Sequence, residues 1–218
     1  MKQRIPETSE GIQGEFDVNL FNTFQKGMRD RGWIQTKQII EFGIMQGHAL
    51  EVGPGPGYLG LEWLKNTSGT QLTGLEISAN MIAMAQNNAR DYGIDAQRVM
   101  YVQGNAMNMP LDSNRFDAAF SNGSLHEWER PKDVLCEIAR VLKPGGRFFI
   151  SDLRRDSNPL IKWFLSASTI KVMRPGLKTS LQAAYTKEEL QRIVEATPLR
   201  GAHVYAGRIG LSASGCVH

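Results

Sequence analysis

The chain of 218 residues holds only two cysteines, Cys136 and Cys216, which excludes a disulfide framework as its organising principle. Cys136 falls within a helical pattern and Cys216 near the end of a strand-like run. They read as two reduced core residues in a reducing compartment. No run of about eighteen apolar residues occurs, so no membrane span is expected. The opening "MKQRIPETSEGIQGEF" lacks the apolar stretch of a secretory leader. Net charge is also low. The 25 Lys and Arg against 22 Asp and Glu leave +3, too little by itself to argue for nucleic acid or an anionic membrane. Internal repeats and low-complexity tracts are missing as well. Together these absences point to a cytoplasmic protein.

What is there is ordinary globular material, 41% apolar and 22% charged, in a length that suits one α/β domain with a small appendage. Residues 16–45 carry apolar side chains at helical spacing: Phe16, Leu20, Phe24 and Met28, then Ile34, Ile39, Ile40 and Ile44. Gly32 divides them, predicting two helices in a cap over 1–45. From 47 onward, short apolar runs alternate with amphipathic segments. The runs are "HALEV" (48–52), "QLTGLEI" (71–77), "RVMYVQ" (98–103), "FDAAFS" (116–121) and "GRFFIS" (146–151). Helical stretches fall near 58–66, 79–92 and 131–142, and this rhythm predicts a parallel sheet with helices on both faces. "KPGG" (143–146) reads as a helix stop and turn. Thr186 with Glu189 three residues on is a capping box, and the two strand-like runs after that helix predict a closing antiparallel hairpin. The core is thus expected over 46–218, with a segment inserted at 153–184.

"LEVGPGPGYLG" (50–60) sets four glycines and two prolines directly after an apolar run. From Gly53 the pattern is GxGxG; from Gly55 it is GxGxxG, the dinucleotide fingerprint. A strand that ends in such a turn and opens a helix lets backbone N–H groups approach a ligand closely. Nineteen residues after Gly57 the second strand ends in Glu76, an acid placed to accept from both ribose hydroxyls of an adenosine. The plainer reading is a tight turn, with Glu76 capping the next helix. Strand, loop, helix, strand and acid in that order favour ligand binding. Pro54 and Pro56 remove two N–H donors from the loop, whereas Gly53, Gly55 and Gly57 keep theirs. Glu51 adds a carboxylate, awkward beside a pyrophosphate and helpful beside an ammonium group.

"ALEVGPGPGYLG" resembles motif I of the class I S-adenosylmethionine-dependent methyltransferases, in its E/DxGxGxG form. "GLEIS" resembles their second motif, and "GNAMNMPL" (104–111) is similar to their adenine-contacting "GDAxxLPF". "FDAAFSNGSLHEWERP" and "VLKPGGRFFISDLRR" resemble the fourth and fifth core strands. The resemblance implies a Rossmann-like three-layer α/β sandwich around a seven-stranded mixed sheet, ending in the antiparallel hairpin. It implies S-adenosyl-L-methionine as cofactor, S-adenosyl-L-homocysteine as product, and no metal. Glu51, Gly53, Gly55 and Gly57 would surround the methionine part, and Glu76 the ribose hydroxyls. Ile77 would lie against the adenine, Asn105 and Ala106 at its edge, and Asn122 near the sulfonium. The family usually has Asp where this chain has Asn105. An amide oxygen there still accepts from the adenine amino group, without charge assistance, so weaker cofactor binding is expected.

A sulfonium is already a strong electrophile, so alignment matters most, and a base is needed only for an acceptor that arrives protonated. His126 in "NGSLHEW" is the candidate base; the alternative is a histidine that packs or bonds backbone. Glu127 and Glu129 read as solvated charges. "SNGS" (121–124) lacks the Pro-Pro-aromatic signature of methyltransferases acting on planar amino groups, and two scattered cysteines do not suit an arsenic-type acceptor. Acceptor choice falls to 1–45, with Phe16, Phe21, Phe24 and Trp33, and to 153–184, whose Leu160, Ile161, Phe164 and Leu165 face either substrate or core. Residues 143–178 hold eight Lys/Arg and two Asp, a net +6, read as a solvated face or as the site of an acidic acceptor. Methyl transfer to a small molecule is the expected function. The alternatives are an RNA or protein methyltransferase using 143–178, a non-catalytic S-adenosylmethionine-binding protein, and an NAD-dependent oxidoreductase. Aromatics are not interleaved with the charges, which disfavours nucleic acid.

Overall fold

Alternate residues of each central strand feed two separate apolar layers, and that alternation fixes the architecture. The computed structural model describes residues 4–5 and 14–217; most of the stretch searched for a leader and the side chain of Phe16 lie outside the described residues. Helices α1 (Glu15–Asp30) and α2 (Thr36–Glu41) precede β1 (His48–Val52), α3 (Tyr58–Lys65), β2 (Gln71–Glu76), α4 (Ala79–Asp91) and β3 (Val99–Gln103). Then come β4 (Phe116–Asn122), α5 (Pro131–Val141), β5 (Leu142–Leu153), α6 (Pro159–Ser168) and α7 (Arg174–Ala183). The chain closes with α8 (Lys187–Glu195), β6 (His203–Ala206) and β7 (Gly210–Cys216). The seven strands form one sheet in the order β3-β2-β1-β4-β5-β7-β6. Strands β1 to β5 pair in parallel, and β7 runs antiparallel to both β5 and β6. The expected mixed sheet with its closing hairpin is present.

Leu50, Val52, Ala119, Phe148 and Ile150 enter one apolar layer with residues of α5 and α8, among them Ile138 and Leu190. Ala49, Ala118, Phe120 and Phe149 are one residue out of phase. They enter the other layer with Ile39 of α2 and Trp63 of α3. Trp63 is fully buried, and its indole N–H donates to the Ile44 carbonyl at 2.8 Å, so no polar group is stranded there. Sheet order reverses between β1 and β4, which opens a crevice at the carboxyl ends of those strands.

Several local signals act as the sequence predicts. Helix α1 stops at Gly32, whose φ of 69° suits glycine, and the N–H groups of Gly32 and Trp33 bond back to Arg29 and Met28 carbonyls at 2.8 and 2.9 Å. Thr186 caps α8: its hydroxyl accepts from Glu189 N–H at 3.3 Å while the Glu189 carboxylate accepts from Thr186 N–H at 2.9 Å. Two expectations need correction. "KPGG" does not separate helix from strand, because β5 begins at Leu142 and the four residues form an irregularity inside it; pairing jumps from Phe116–Leu142 to Ala118–Arg147. Cys216 is exposed and Cys136 half-buried, so neither is a core residue. Cys216 pairs with Arg147 at the end of β7, beyond the last residue that β6 covers. Among the described residues no helix is long and apolar enough to cross a membrane.

Replacing Thr186 with Ala is expected to lower the unfolding free energy by about 1 kcal/mol, and Ser to lower it less, because only Ala removes the capping oxygen. Urea denaturation of the two variants measures the difference.

Candidate active site

Every turn in the loop after β1 is made by a residue without a side-chain penalty for left-handed backbone. Gly53, Gly55 and Gly57 have φ of 69°, 53° and 86°. Space forbids side chains as well: a Cβ on Gly53 would meet Ser124, and one on Gly57 would lie 2.8 Å from the Tyr101 hydroxyl. Tyr101 reaches this position across Gly74, its register partner on β2, where a Cβ would strike the ring. Gly60, within α3, keeps room for the Glu51 carboxylate and for Leu72.

The three glycine N–H groups are all engaged inside the protein. Gly53 donates to the Leu75 carbonyl at 2.9 Å, Gly57 to Pro54 at 2.9 Å, and Gly55 to Glu76 Oε2 at 3.0 Å. The donors that the sequence leaves to Gly53, Gly55 and Gly57 are therefore not free for a pyrophosphate, in line with the preference for a ligand with a cationic end. Glu76 Oε1 accepts from the N–H groups of Ile77 and Ser78 at 2.9 and 3.0 Å. Ser78, not Glu76, caps α4. Burial pushes the Glu76 carboxyl up, and its three N–H donors oppose that shift.

Glu51 is 2% exposed, and its Oε2 has no hydrogen-bond partner among the described residues. Burial first, then the nearby Glu76 charge, push its carboxyl up to about 8, against the pull of the Gly60 N–H. The Tyr101 hydroxyl is likewise buried without a partner, and burial beside Glu51 raises it.

Glu51, Gly53, Gly55, Glu76, Ile77, Asn105, Ala106 and Asn122 all line one open cleft. Gly57 lies behind the wall, shaping the turn. Sequence reasoning missed the part of Gln25, Ile34, Met81 and Trp128, which also line it. Their apolar or neutral character gave no signal; Gln25 lies on α1, Ile34 after it, Met81 on α4 and Trp128 beyond β4, and only tertiary packing brings them to one wall. Phe21, singled out with the cap aromatics, is on the wall, while Phe24 and Trp33 are not. Glu127 and Glu129 are on the wall too, rather than simply solvated. Among the described lining residues there are four glutamates and no Lys, Arg or His. The eight basic residues of 143–178 line no part of it. They do not form one face either: Lys143 pairs with Asp117 and Arg147 binds the Phe42 carbonyl at the start of β5, while Arg154 and Arg155 pair with Asp156 and Glu189 beyond its end.

Residues 50–150 match the family model described as a methyltransferase domain. This segment is a methyltransferase domain. The chain is 32% identical over 114 residues to a ubiquinone/menaquinone biosynthesis C-methyltransferase of Cereibacter sphaeroides, covering 52% of this chain and 45% of that protein. It is 38% identical over 113 residues to an O-methyltransferase of Aspergillus sclerotiorum, resE, covering 51% and 41%. The chain thus spans less than half the length of these relatives. A solved structure from Methanococcus maripaludis, assigned as an S-adenosyl-L-methionine-dependent methyltransferase, superposes with a TM-score of 0.78 at 24% identity, over 95% of this chain and 96% of that one. That likeness shows the same fold.

Two residues of the methyltransferase domain sit differently from their expected roles. Asn105 Oδ1 already accepts from Met107 N–H at 2.8 Å, closing a turn, so it offers a ligand one remaining lone pair and an NH₂ group. His126 is buried and does not line the cleft. Its Nδ1 lies 2.9 Å from both oxygens of Asp152, and its own N–H donates to Asp152 Oδ2 at 2.7 Å. Asn122 Oδ1 accepts from the Ser151 hydroxyl at 2.8 Å, which fixes the amide at the end of β4.

The raised Glu51 carboxyl carries a stability consequence. Its folded value lies above the ordinary glutamate value of about 4.3, so folding favours the protonated form. Stability is lost as pH rises from about 4.3 towards about 8, by up to about 1.4 kcal/mol per pH unit. Glu51→Gln lacks that term, so its melting temperature relative to the parent should climb between about pH 5 and about pH 8. A pH-independent difference between the two proteins would refute the assignment.

Proposed function

We propose that the protein transfers the methyl group of S-adenosyl-L-methionine to a small-molecule acceptor that is neutral or positively charged. One observation carries this reading: a cleft whose described lining residues include four glutamates and no cation, beneath a loop whose glycine N–H groups are all in use. Such a wall attracts a ligand with an ammonium and a sulfonium and repels a pyrophosphate, which argues against the dinucleotide alternative. The orphaned Glu51 oxygen fits the cationic methionine end. When bound, the cofactor supplies an electrophilic methyl group.

The chain's own residues then bind and orient. Glu76 holds loop and strand together through N–H bonds and keeps lone pairs for ribose hydroxyls. Glu51 answers the positive charge from below. Asn105 and Ala106 border the adenine end, Ile77 its flat face, and Asn122 the reacting end. His126, clamped to Asp152, positions the turn over 125–127 and hence Glu127 and Trp128 on the wall. The relatives' names include both C- and O-methyltransferases, so the acceptor atom differs among similar chains.

In a thermal-shift comparison, S-adenosylmethionine and S-adenosylhomocysteine should each stabilise the protein, by about 2.7 kcal/mol at a hundred times the dissociation constant, and NAD or NADH should not. Glu76→Ala should abolish the shift. Stabilisation by NAD(H) alone would overturn the reading. Once an acceptor is found, His126→Asn should raise its KM and leave the pH profile of kcat unchanged; loss of an imidazole-dependent limb in that profile would make His126 the base instead.

A further inference from the structure

We propose that the surface formed by α6 and α7 docks on an anionic lipid bilayer. This proposal stands on the exterior of the protein and does not depend on the reaction in the cleft. Helix α6, "PLIKWFLSAS", is deliberately started: Asn158 Oδ1 accepts from Leu160 N–H at 2.8 Å and Pro159 occupies the first turn. Yet a helix of this apolar composition buries none of its residues. Leu160 is 74% exposed and Trp163 70%, and with Phe164 they form one stripe at helical spacing. Ile170 and Val172, just beyond the end of α6, are exposed as well. Exposed apolar residues gathered in this way mark an interaction surface rather than ordinary scatter.

Charge identifies the partner. From Ser157 to Lys187 there is no Asp or Glu, while Lys162, Lys171, Arg174, Lys178 and Lys187 are cationic. Lys171 and Lys178 are exposed and make no ion pair among the described residues. A stripe of Leu, Trp and Phe flanked by Lys and Arg is the arrangement that lies in a bilayer interface, apolar groups at the acyl boundary and cations among anionic headgroups. A second copy of this face would set the same cations against themselves. RNA would require bases stacked on aromatics interleaved with charge, whereas here the aromatics share one stripe with Leu160. Phe164 also contacts Trp33, ring centres 6.0 Å apart, and the next residue, Ile34, lines the cleft. Docking therefore brings the mouth of the cleft beside the lipid surface.

Sedimentation of the full chain with vesicles tests this. Binding to equimolar phosphatidylcholine and phosphatidylglycerol should exceed binding to phosphatidylcholine alone by at least about tenfold at low salt. The double change Lys171→Glu and Lys178→Glu should remove that preference, and Leu160→Ser with Trp163→Ser should weaken binding to both vesicles. All four substituted side chains are exposed, so melting curves should match the parent. No binding of the parent to anionic vesicles would overturn the proposal, as would binding that both variants retain. A lipid-free dimer that Leu160→Ser with Trp163→Ser dissociates, or RNA binding in place of vesicle binding, would overturn it equally.

Discussion

Two buried carboxyl groups lie under one glycine turn, and the geometry of the site follows from that constraint. Glu51 at the end of β1 and Glu76 at the end of β2 are both buried, and the first lacks a partner for one oxygen. A buried unpaired carboxylate is among the least favourable groups in a folded protein, and it persists by taking up a proton or meeting a cation. Glu76 takes the milder course, spreading its charge over three backbone N–H groups. That use of Glu76 consumes the Gly55 donor and ties the loop to β2. Glu51 is left as the group whose state depends on what enters the cleft.

The same constraint explains the glycines. Gly60 is not in a left-handed conformation; it is small because the Glu51 carboxylate and Leu72 occupy the space a Cβ would need. Gly74 lets Tyr101 cross beneath the loop, and Gly57 lets the loop settle on the Tyr101 hydroxyl. Loop, strand and helix are thus fitted around buried polar groups. Their placement in the crevice at the sheet reversal puts that unfavourable chemistry where a ligand can reach it.

Much of this was legible in the residues. Short apolar runs located every central strand to within a few residues, and Thr186 with Glu189 marked the start of α8. The hairpin followed from two strand-like runs with almost no linker. Elements whose partners lie far away in sequence were less readable. Nothing near Cys216 shows that β6 stops short of covering it. The basic stretch 143–178 looks continuous as text, but the length of β5 carries its two halves to opposite ends of the sheet. In the site, Glu51 and Glu76 declare themselves by spacing from the glycines. Gln25 and Trp128 could not, because only tertiary packing brings a cap helix and a turn after β4 to one wall. His126 reads in sequence either as a base or as a histidine that packs, and Asp152, 26 residues on, takes both its ring and its backbone N–H.

On the proposed function, a cationic ligand replaces the proton on Glu51. Isothermal titration with S-adenosylmethionine near neutral pH, repeated in buffers of different ionisation enthalpy, measures proton release on binding directly. The account predicts release approaching one proton per protein from the parent chain and none from Glu51→Gln. Equal proton release from both proteins, or none from the parent, would contradict it.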